Sequence, residues 1–435
     1  MRILHVSDIH IGIETYGRPA AEVDIERLPP TFAPGEDRKP YLGYSTRLLD
    51  FLCAFDEVVA YAIQHKVDLL LFTGDAYKNR EPTQTHQREF AKRIARLAAS
   101  GIPVVLLVGN HDLPHASYKA NSIEIFDTLN VPNVTVTDRL DVYRVKTRAG
   151  PLQVLAIPWI RRSAFLARDD VRNLPFEQIN KLLEQKLTNA IQAAADELDR
   201  STPAIVAAHV TVGTAKLGTE RSMMIGYDHV LMQSTLTALP ADYVGLGHIH
   251  HRQELSQRPP MLYPGSLQRI DFGEEDHEAK GFYIVELDAA RPLGERVAKL
   301  DFHPVQARAF VTIDVTLLEN DLDPTLTVVQ AIERHHIADA IVRLHIKLPA
   351  SLAAMLRERE IRQAVERHGA HAIAAITRDV ERTSRPRLGA LSLEQQTPLQ
   401  LLGHYLSSKQ VGKERSERLM TLAKGLMDSE DRDNA

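Results

Sequence analysis

The stretch Val67-Asp68-Leu69-Leu70-Leu71-Phe72-Thr73-Gly74-Asp75 is an apolar run that meets a glycine and then a carboxylate. The run has the length of a core strand and is too short for a typical helix, and Gly74 lets the backbone turn sharply where the strand ends. Asp75 therefore stands at the carboxyl edge of a sheet, the edge on which open α/β sheets bind ligands. Three other segments end in the same manner on side chains able to ligate metal: Ile3 to His10, Val104 to Asp112 and Ala204 to His209.

Outward from this stretch, strands alternate with helices. Strands are expected over Ile3–Val6, Asp68–Phe72, Pro103–Val108, Leu152–Ile157, Ala204–Ala208, Tyr243–Leu246, Met261–Tyr263 and Phe282–Leu287. Helices are expected over Arg47–His65, Thr85–Ala99 and Glu177–Leu198. This order predicts an α/β fold, a layered sheet with flanking helices. The segment between Ile13 and Gly43, rich in Pro, Gly and charge, is longer than an ordinary connection and reads as a surface excursion on the substrate side. After Ala289 the pattern changes to β-α-β-α-β, with Arg291-Pro292-Leu293-Gly294 as the expected boundary. The division is thus 1–290, a smaller α+β domain at 291–382, and a linker with two tail helices at 383–435. The polar end, Asp428 to Ala435, reads as disordered.

Composition narrows the class without naming a substrate. A chain of 435 residues accommodates one large domain and one or two smaller ones. The N-terminus enters a strand with no apolar leader and no run is long enough to span a bilayer, so the expected location is cytoplasmic, away from membranes. A single cysteine, Cys53, in a helical apolar pattern excludes disulfides and thiolate metal sites. The formal net charge of -5 offers no global attraction to nucleic acid, so any such binding must come from local basic faces or bound metal.

The chemistry lies in a set of donors. Asp8 and His10 are two apart at a strand end, so their side chains should leave one face while Ile9 turns to the other, and Gly247-His248-Ile249-His250 repeats the device. Gly109-Asn110-His111-Asp112 follows the third strand, and His209 ends the strand from Ala204. Singly, each is more often a turn or a packed histidine. Jointly, every motif falls directly after a strand of one α/β domain and supplies a metal donor. The set fits two divalent ions sharing one carboxylate, with Asp75 the natural bridge, and its mixed N/O donors suit manganese, iron or zinc better than magnesium or calcium; manganese is favoured. Two such ions roughly 3.5 to 4 Å apart would attract a phosphodiester, generate a nucleophile and clamp the phosphate oxygens.

The ordered motifs Asp8-Ile9-His10, Gly74-Asp75, Gly109-Asn110-His111-Asp112, His209 and Gly247-His248-Ile249-His250 resemble the calcineurin-like metallophosphoesterase superfamily. The opening Ile3 to Gly12, the exit Tyr263-Pro264-Gly265-Ser266, the smaller domain and the helical tail narrow the resemblance to the SbcD-type DNA-repair exonuclease subunits. That resemblance implies a β-sandwich core with a capping domain. It gives one metal Asp8, His10, Asp75 and His250, and the other Asp75, Asn110, His209 and His248. It places His111 on the scissile phosphate as the catalytic histidine, while the residue that orients it stays open. It also implies DNA as substrate, a homodimer, and an SbcC-like ABC-type ATPase whose coiled coil receives the tail helices Leu399–Ser408 and Lys413–Met427. The archaeal and eukaryotic branch has a histidine three residues after the bridging aspartate, where this chain has Lys78.

Basic side chains on loops beside the metal edge, Arg161, Arg162, Lys216, Arg221, Arg252 and Arg269, would neutralise phosphates along a DNA path. The dimer surface is expected on the helices Arg47–His65 and Thr85–Ala99, whose apolar residues exceed what one sheet face covers. The leading function is thus a manganese-dependent DNA exonuclease with an endonuclease option. Two rivals are a small-molecule phosphodiesterase or phosphatase, which leaves the smaller domain and tail unexplained, and a non-catalytic scaffold, against which the complete donor set speaks.

Overall fold

The structure, a computed structural model, describes residues 1–114, 116, 118–161, 176–218, 230–275, 278–381, 399, 402, 403, 406 and 412–433. The first fourteen strands are β1 (Arg2–Val6), β2 (Leu69–Phe72), β3 (Val104–Leu107), β4 (Val134–Thr137), β5 (Asp141–Thr147), β6 (Gly150–Ile157), β7 (Ala204–His209), β8 (Thr211–Val212), β9 (Val230–Leu231), β10 (Tyr243–Gly247), β11 (Gln253–Gln257), β12 (Pro260–Tyr263), β13 (Gly281–Leu287) and β14 (Val297–Pro304). They build two six-stranded sheets, ordered β14-β13-β1-β2-β3-β4 and β11-β12-β10-β7-β6-β5, and the short pair β8-β9. The central strands of each sheet run parallel, β1 to β4 in one and β6, β7, β10 and β12 in the other.

The sheets pack face to face. Ile3, Leu69, Leu71, Val105 and Leu107 of the first meet Val154, Ala156, Ile205, Ala207, Tyr243 and Leu262 of the second in one buried layer. The alternate residues Leu4, Val6, Leu70 and Phe72 point outward beneath the helices Thr46–Gln64 and Gln84–Ala99, while Leu155, Ile157, Val206 and Ala208 face the helix Phe176–Ala195. Burial on both faces explains why these strands read as continuous apolar runs and not as alternating ones.

Every core strand expected from the sequence is present, and four edge or near-edge strands, β4, β5, β11 and β14, are additional. Their residues are half exposed, so their apolar signal is diluted by polar positions. One of them moves a boundary. Arg291–Gly294 is the turn of a hairpin, since β14 pairs antiparallel along all of β13, and the first sheet continues to Pro304.

The excursion between Ile13 and Gly43 also differs from expectation. It carries a short helix, Glu22–Glu26, and a 3-10 turn, Lys39–Tyr41, and buries Ile25, Phe32, Ala33 and Tyr41 against the two outer helices. Arg38 ties it together by donating to the carbonyls of Leu28, Pro29 and Phe32. Apolar residues on the helices Thr46–Gln64 and Gln84–Ala99 thereby find partners within the chain.

A second unit follows, a parallel sheet of β15 (Phe310–Thr316), β16 (Ile341–Pro349) and β17 (Ala372–Glu381). Its crossover helices Pro324–Glu333 and Glu358–Arg367 pack on the sheet around Ile313, Val328, Ile332, Leu344, Ile361 and Val365. It is joined to the first by a bidentate Arg308–Asp50 pair (2.5 and 2.6 Å) and by Thr46 Oγ1 against His371 Nε2 (3.1 Å), around a cavity of ≈ 870 Å³. The linker Thr383–Gly389 and most of the first tail helix lie outside the described residues. The second tail helix spans Lys413–Asp433, into the stretch expected to be disordered, and exposes Leu419 and Leu422. No helix among the described residues is long and apolar enough to cross a membrane.

If Phe32 belongs to the core, Phe32→Ala should cost roughly 3–5 kcal/mol. The check is the shift of the urea midpoint; a change under about 1 kcal/mol, as at typical surface positions, would return the segment to the surface.

Candidate metal centre

The donors lie at the carboxyl ends of five central strands, β1, β2, β3, β7 and β10, and several of these backbones are unusual. Asp8 (φ 52°), His10 (φ 51°), Asp75 (φ 61°) and His248 (φ 98°) all have left-handed conformations, which non-glycine residues adopt at a cost and which cluster at functional sites. The expected pleat geometry for Asp8 and His10 is therefore replaced by turns, because β1 ends at Val6 and β10 at Gly247. The intervening residues Ile9 and Ile249 are fully buried in opposite outer cores and anchor these turns.

Backbone bonds lace the loops together. Asp8 N–H donates to Gly74 O (3.0 Å), His10 N–H to Asp75 O (3.1 Å) and Ile11 N–H to Ala76 O (2.9 Å). Asp112, fully buried, accepts the amide protons of Gly109 (2.9 Å), Asp75 (2.9 Å) and Ala76 (3.1 Å). Burial and the charge of Asp75 push its carboxyl up to about 7. The loops approach so closely that a Cβ on Gly247 would lie 2.0 Å from Thr73 O, and one on Gly109 2.2 Å from Asp75 Oδ1.

The donors converge in two groups. In the first, His10 Nε2 lies 3.0 Å from His250 Nε2, 3.8 Å from Asp8 Oδ1 and 3.7 Å from Asp75 Oδ2. In the second, Asn110 Oδ1 lies 2.9 Å from His209 Nε2 and 3.0 Å from His248 Nδ1, and His209 Nε2 lies 3.5 Å from Asp75 Oδ1. The two oxygens of Asp75 thus face different groups. Asp8, His10 and His250 offer atoms within 4.8 Å of one another, as do Asp8, Asp75 and His209.

The tautomers follow from the outer contacts. His209 donates Nδ1–H to Thr73 O (2.7 Å) and His250 donates Nδ1–H to Glu274 Oε1 (3.0 Å), so both turn Nε2 toward the cluster. His111 donates Nδ1–H to the Lys78 carbonyl (2.6 Å), and its ring sits edge-on to His10 at 5.0 Å. The orienting group is therefore a backbone carbonyl, which a lysine supplies as well as a histidine.

The electrostatics call for positive charge at this place. Burial pushes the Asp8 carboxyl up, and burial holds His10 well below the ordinary imidazole range. Burial opposes ionisation of Asp75 too, yet the imidazoles of His209 and His111 outweigh it and keep the carboxyl well below its usual value. Burial likewise opposes a charged His209, but Asp75 overcomes it and raises the imidazole to about 9. A divalent cation would take over the role of that proton, so the donor set fits a metal pair.

The remaining basic candidates are placed variously. Arg161 donates to Pro114 O (2.5 Å), Lys216 is exposed, and Arg252 pairs with Glu278 (3.1 Å) and lies 4.0 Å over the Phe302 ring. Arg269 donates to the carbonyls of Glu274, Arg308 and Glu278, which commits its head to the fold and not to an open path. Arg162 and Arg221 lie outside the described residues.

Four participants escaped the sequence reading. Asp112 ends one of the donor segments, but nothing in its spacing shows that its carboxylate caps three amides. Glu274 and Lys280 have no spacing signal, because they reach His250 through the tertiary fold. Trp159, whose ring centre is 5.0 Å from that of His248, follows β6 with no donor of its own to draw attention.

Residues 1–252 match the family model of calcineurin-like phosphoesterases, and the chain belongs to that family. It is a hydrolase acting on phosphodiester bonds. Among curated proteins it is similar to the SbcD component of the nuclease SbcCD of Escherichia coli (strain K12), 25% identical over 391 residues, which cover 84% of this chain and 87% of that one. The SbcD component of Bacillus subtilis (strain 168) is 24% identical over 293 residues, 66% of each chain. The DNA double-strand break repair protein Mre11 of Aeropyrum pernix is 23% identical over 300 residues, 68% of this chain and 60% of that one.

Asp75→Ala is expected to abolish binding of both metal ions, whereas His250→Ala should weaken mainly one. Metal stoichiometry of the purified variants decides, and a fully loaded Asp75 variant would refute the shared carboxylate.

Proposed function

We propose that this chain is the nuclease subunit of a DNA-repair complex, a two-metal phosphodiesterase that cuts DNA as an exonuclease with an endonuclease option. The observation that carries the reading is Asp75, whose two oxygens address two separate donor groups. Asp8, His10, Asp75 and His250 would hold one ion, and Asp75, Asn110, His209 and His248 the other. Manganese suits this mixed donor set. Such a pair supplies an activated water and charge stabilisation on the phosphate.

The chain's own residues do the rest. His111, held by the Lys78 carbonyl, presents Nε2 beside the first group, where it stabilises charge on the phosphate or hands a proton to the leaving oxygen. Arg161, Lys216 and Arg252 stand on loops at the same edge and would contact the phosphate backbone. The similarity to the SbcD component of nuclease SbcCD over 84% of the chain supports DNA as substrate and an SbcC-like ABC-type ATPase as partner. A homodimer and a cytoplasmic location belong to the same reading. The exposed Leu419 and Leu422 of the tail helix give the ATPase coiled coil an apolar surface to receive.

The test is hydrolysis by the manganese-loaded protein of single-stranded DNA, double-stranded DNA and a small chromogenic phosphodiester. Cleavage of the small ester alone would move the function to small-molecule hydrolysis. His111→Ala should keep both metals and lose turnover of DNA by about 10²–10⁴-fold. Near-normal turnover by the metallated variant would reduce His111 to a part of the turn. Truncation after Arg387 should preserve hydrolysis of short single strands and remove stable association with the ATPase. Undiminished co-purification would exclude the tail as the docking element.

A further inference from the structure

The turn at residues 271–275 touches the metal centre with one residue and the second unit with its neighbours. Glu274 is buried, and its carboxylate accepts from His250 Nδ1 (3.0 Å) and Ser266 Oγ (2.6 Å) and pairs with Lys280 Nζ (2.6 Å). Lys280, equally buried, donates from the same ammonium to His250 O (3.0 Å) and Ser266 Oγ (3.0 Å), so ring and backbone of His250 are both held.

The flanking residues hold to β15 and β16. Glu275 accepts from Thr312 N–H and Oγ1–H and faces the Arg343 guanidinium (3.5 Å). Phe272 packs edge-on against Phe310 (4.9 Å) and lies beneath Arg343, whose Cζ is 4.3 Å from the ring centre. Arg343 Nε also donates to Thr312 Oγ1 (2.7 Å). The Arg308–Asp50 pair lines the cavity between the two units, and each unit has its own core, so the second unit meets the first through polar and aromatic points and not through a continuous core.

We infer that Glu274 is a positioning residue for His250 and that the second unit, through Phe272 and Glu275, sets the place of Glu274, so that displacing this unit weakens metal binding at the His250 group alone. The inference rests on the two-metal reading above. The chain thereby carries a route by which a partner that shifts the second unit would tune one ion and leave the other in place. A short turn that contacts both sides is suited to this, because Phe272, Glu274 and Glu275 are separated by at most three positions.

The experiment titrates manganese into the full chain, stripped by chelation, and reads site number and affinity by calorimetry and by the manganese paramagnetic resonance signal. The wild-type chain should show two sites; fewer would refute the two-metal reading itself, separately from this inference. Glu274→Gln, which keeps shape and acceptor but removes the charge, and Glu274→Ala should weaken one site by about 10–100-fold, the alanine variant more. Phe272→Ala and Arg343→Ala, which remove side chains at the contact with the second unit, Phe272 packing on Tyr16 as well, should weaken the same site in the same direction with the melting temperature of the first unit retained. In a His250→Ala background all four should add little, since they act through that ring. Wild-type affinities in Phe272→Ala and Arg343→Ala, or losses that add in full to His250→Ala, would overturn the coupling. An unchanged Glu274→Ala would overturn the positioning role.

Discussion

The Asp112 carboxylate, accepting the amide protons of Gly109, Asp75 and Ala76, is the contact on which the centre depends. It binds the loop after β3 to the loop after β2 and fixes the backbone on either side of Asp75. A neutral group of the same shape would leave at least one of these buried amides short of its acceptor, at a cost of about 1–3 kcal/mol each. The same acid lies against Asp75, and the repulsion between them is part of why its carboxyl titrates so high. Structure and charge are thus in opposition at this point, and the imidazole ring around Asp75 resolves it.

Four left-handed non-glycine residues and three glycines without room for a Cβ, Gly74, Gly109 and Gly247, concentrate within this small volume. Each is a local cost, of order 1–3 kcal/mol for a strained residue, which the two sheets and their outer helices must outweigh. Ile9 and Ile249 show how: each sits one residue from two donors and is fully buried, so the hydrophobic cores hold the turns from behind. The donors themselves need positive charge among them, from a proton on His209 or from metal, since two buried carboxylates facing one another are costly without it.

The second unit has a separate core and is joined to the first through discrete contacts. The Arg308–Asp50 pair, His371 against Thr46, the Phe272–Glu275 turn against β15, and Tyr16 and Arg47 against Phe310 are among the points of attachment. Such a joint is closer to a transient interface than to a domain core, and relative movement is the default for it. The turn matters because Glu274 within it bonds directly to His250.

The strand-to-donor motifs were legible because local chemistry makes them so. A doubly buried strand must be apolar throughout, and a donor at its end must be His, Asp or Asn, so Asp8, His10, Asp75, Asn110, His209, His248 and His250 stand out in one dimension. The edge strands β5 and β14 were not legible, since half exposure removes the apolar pattern, and the place of residues 13–43 was hidden because Phe32 and Tyr41 find their partners only on helices formed later in the chain. By itself the sequence determined the α/β order, the donors and their assignment to strand ends. Only the tertiary structure decided that the two Asp75 oxygens face two groups, that a carbonyl orients His111, and that Glu274 and Lys280 stand behind His250. Those are relations between residues far apart in the chain, and no periodicity encodes a distance that exists only after two sheets have packed.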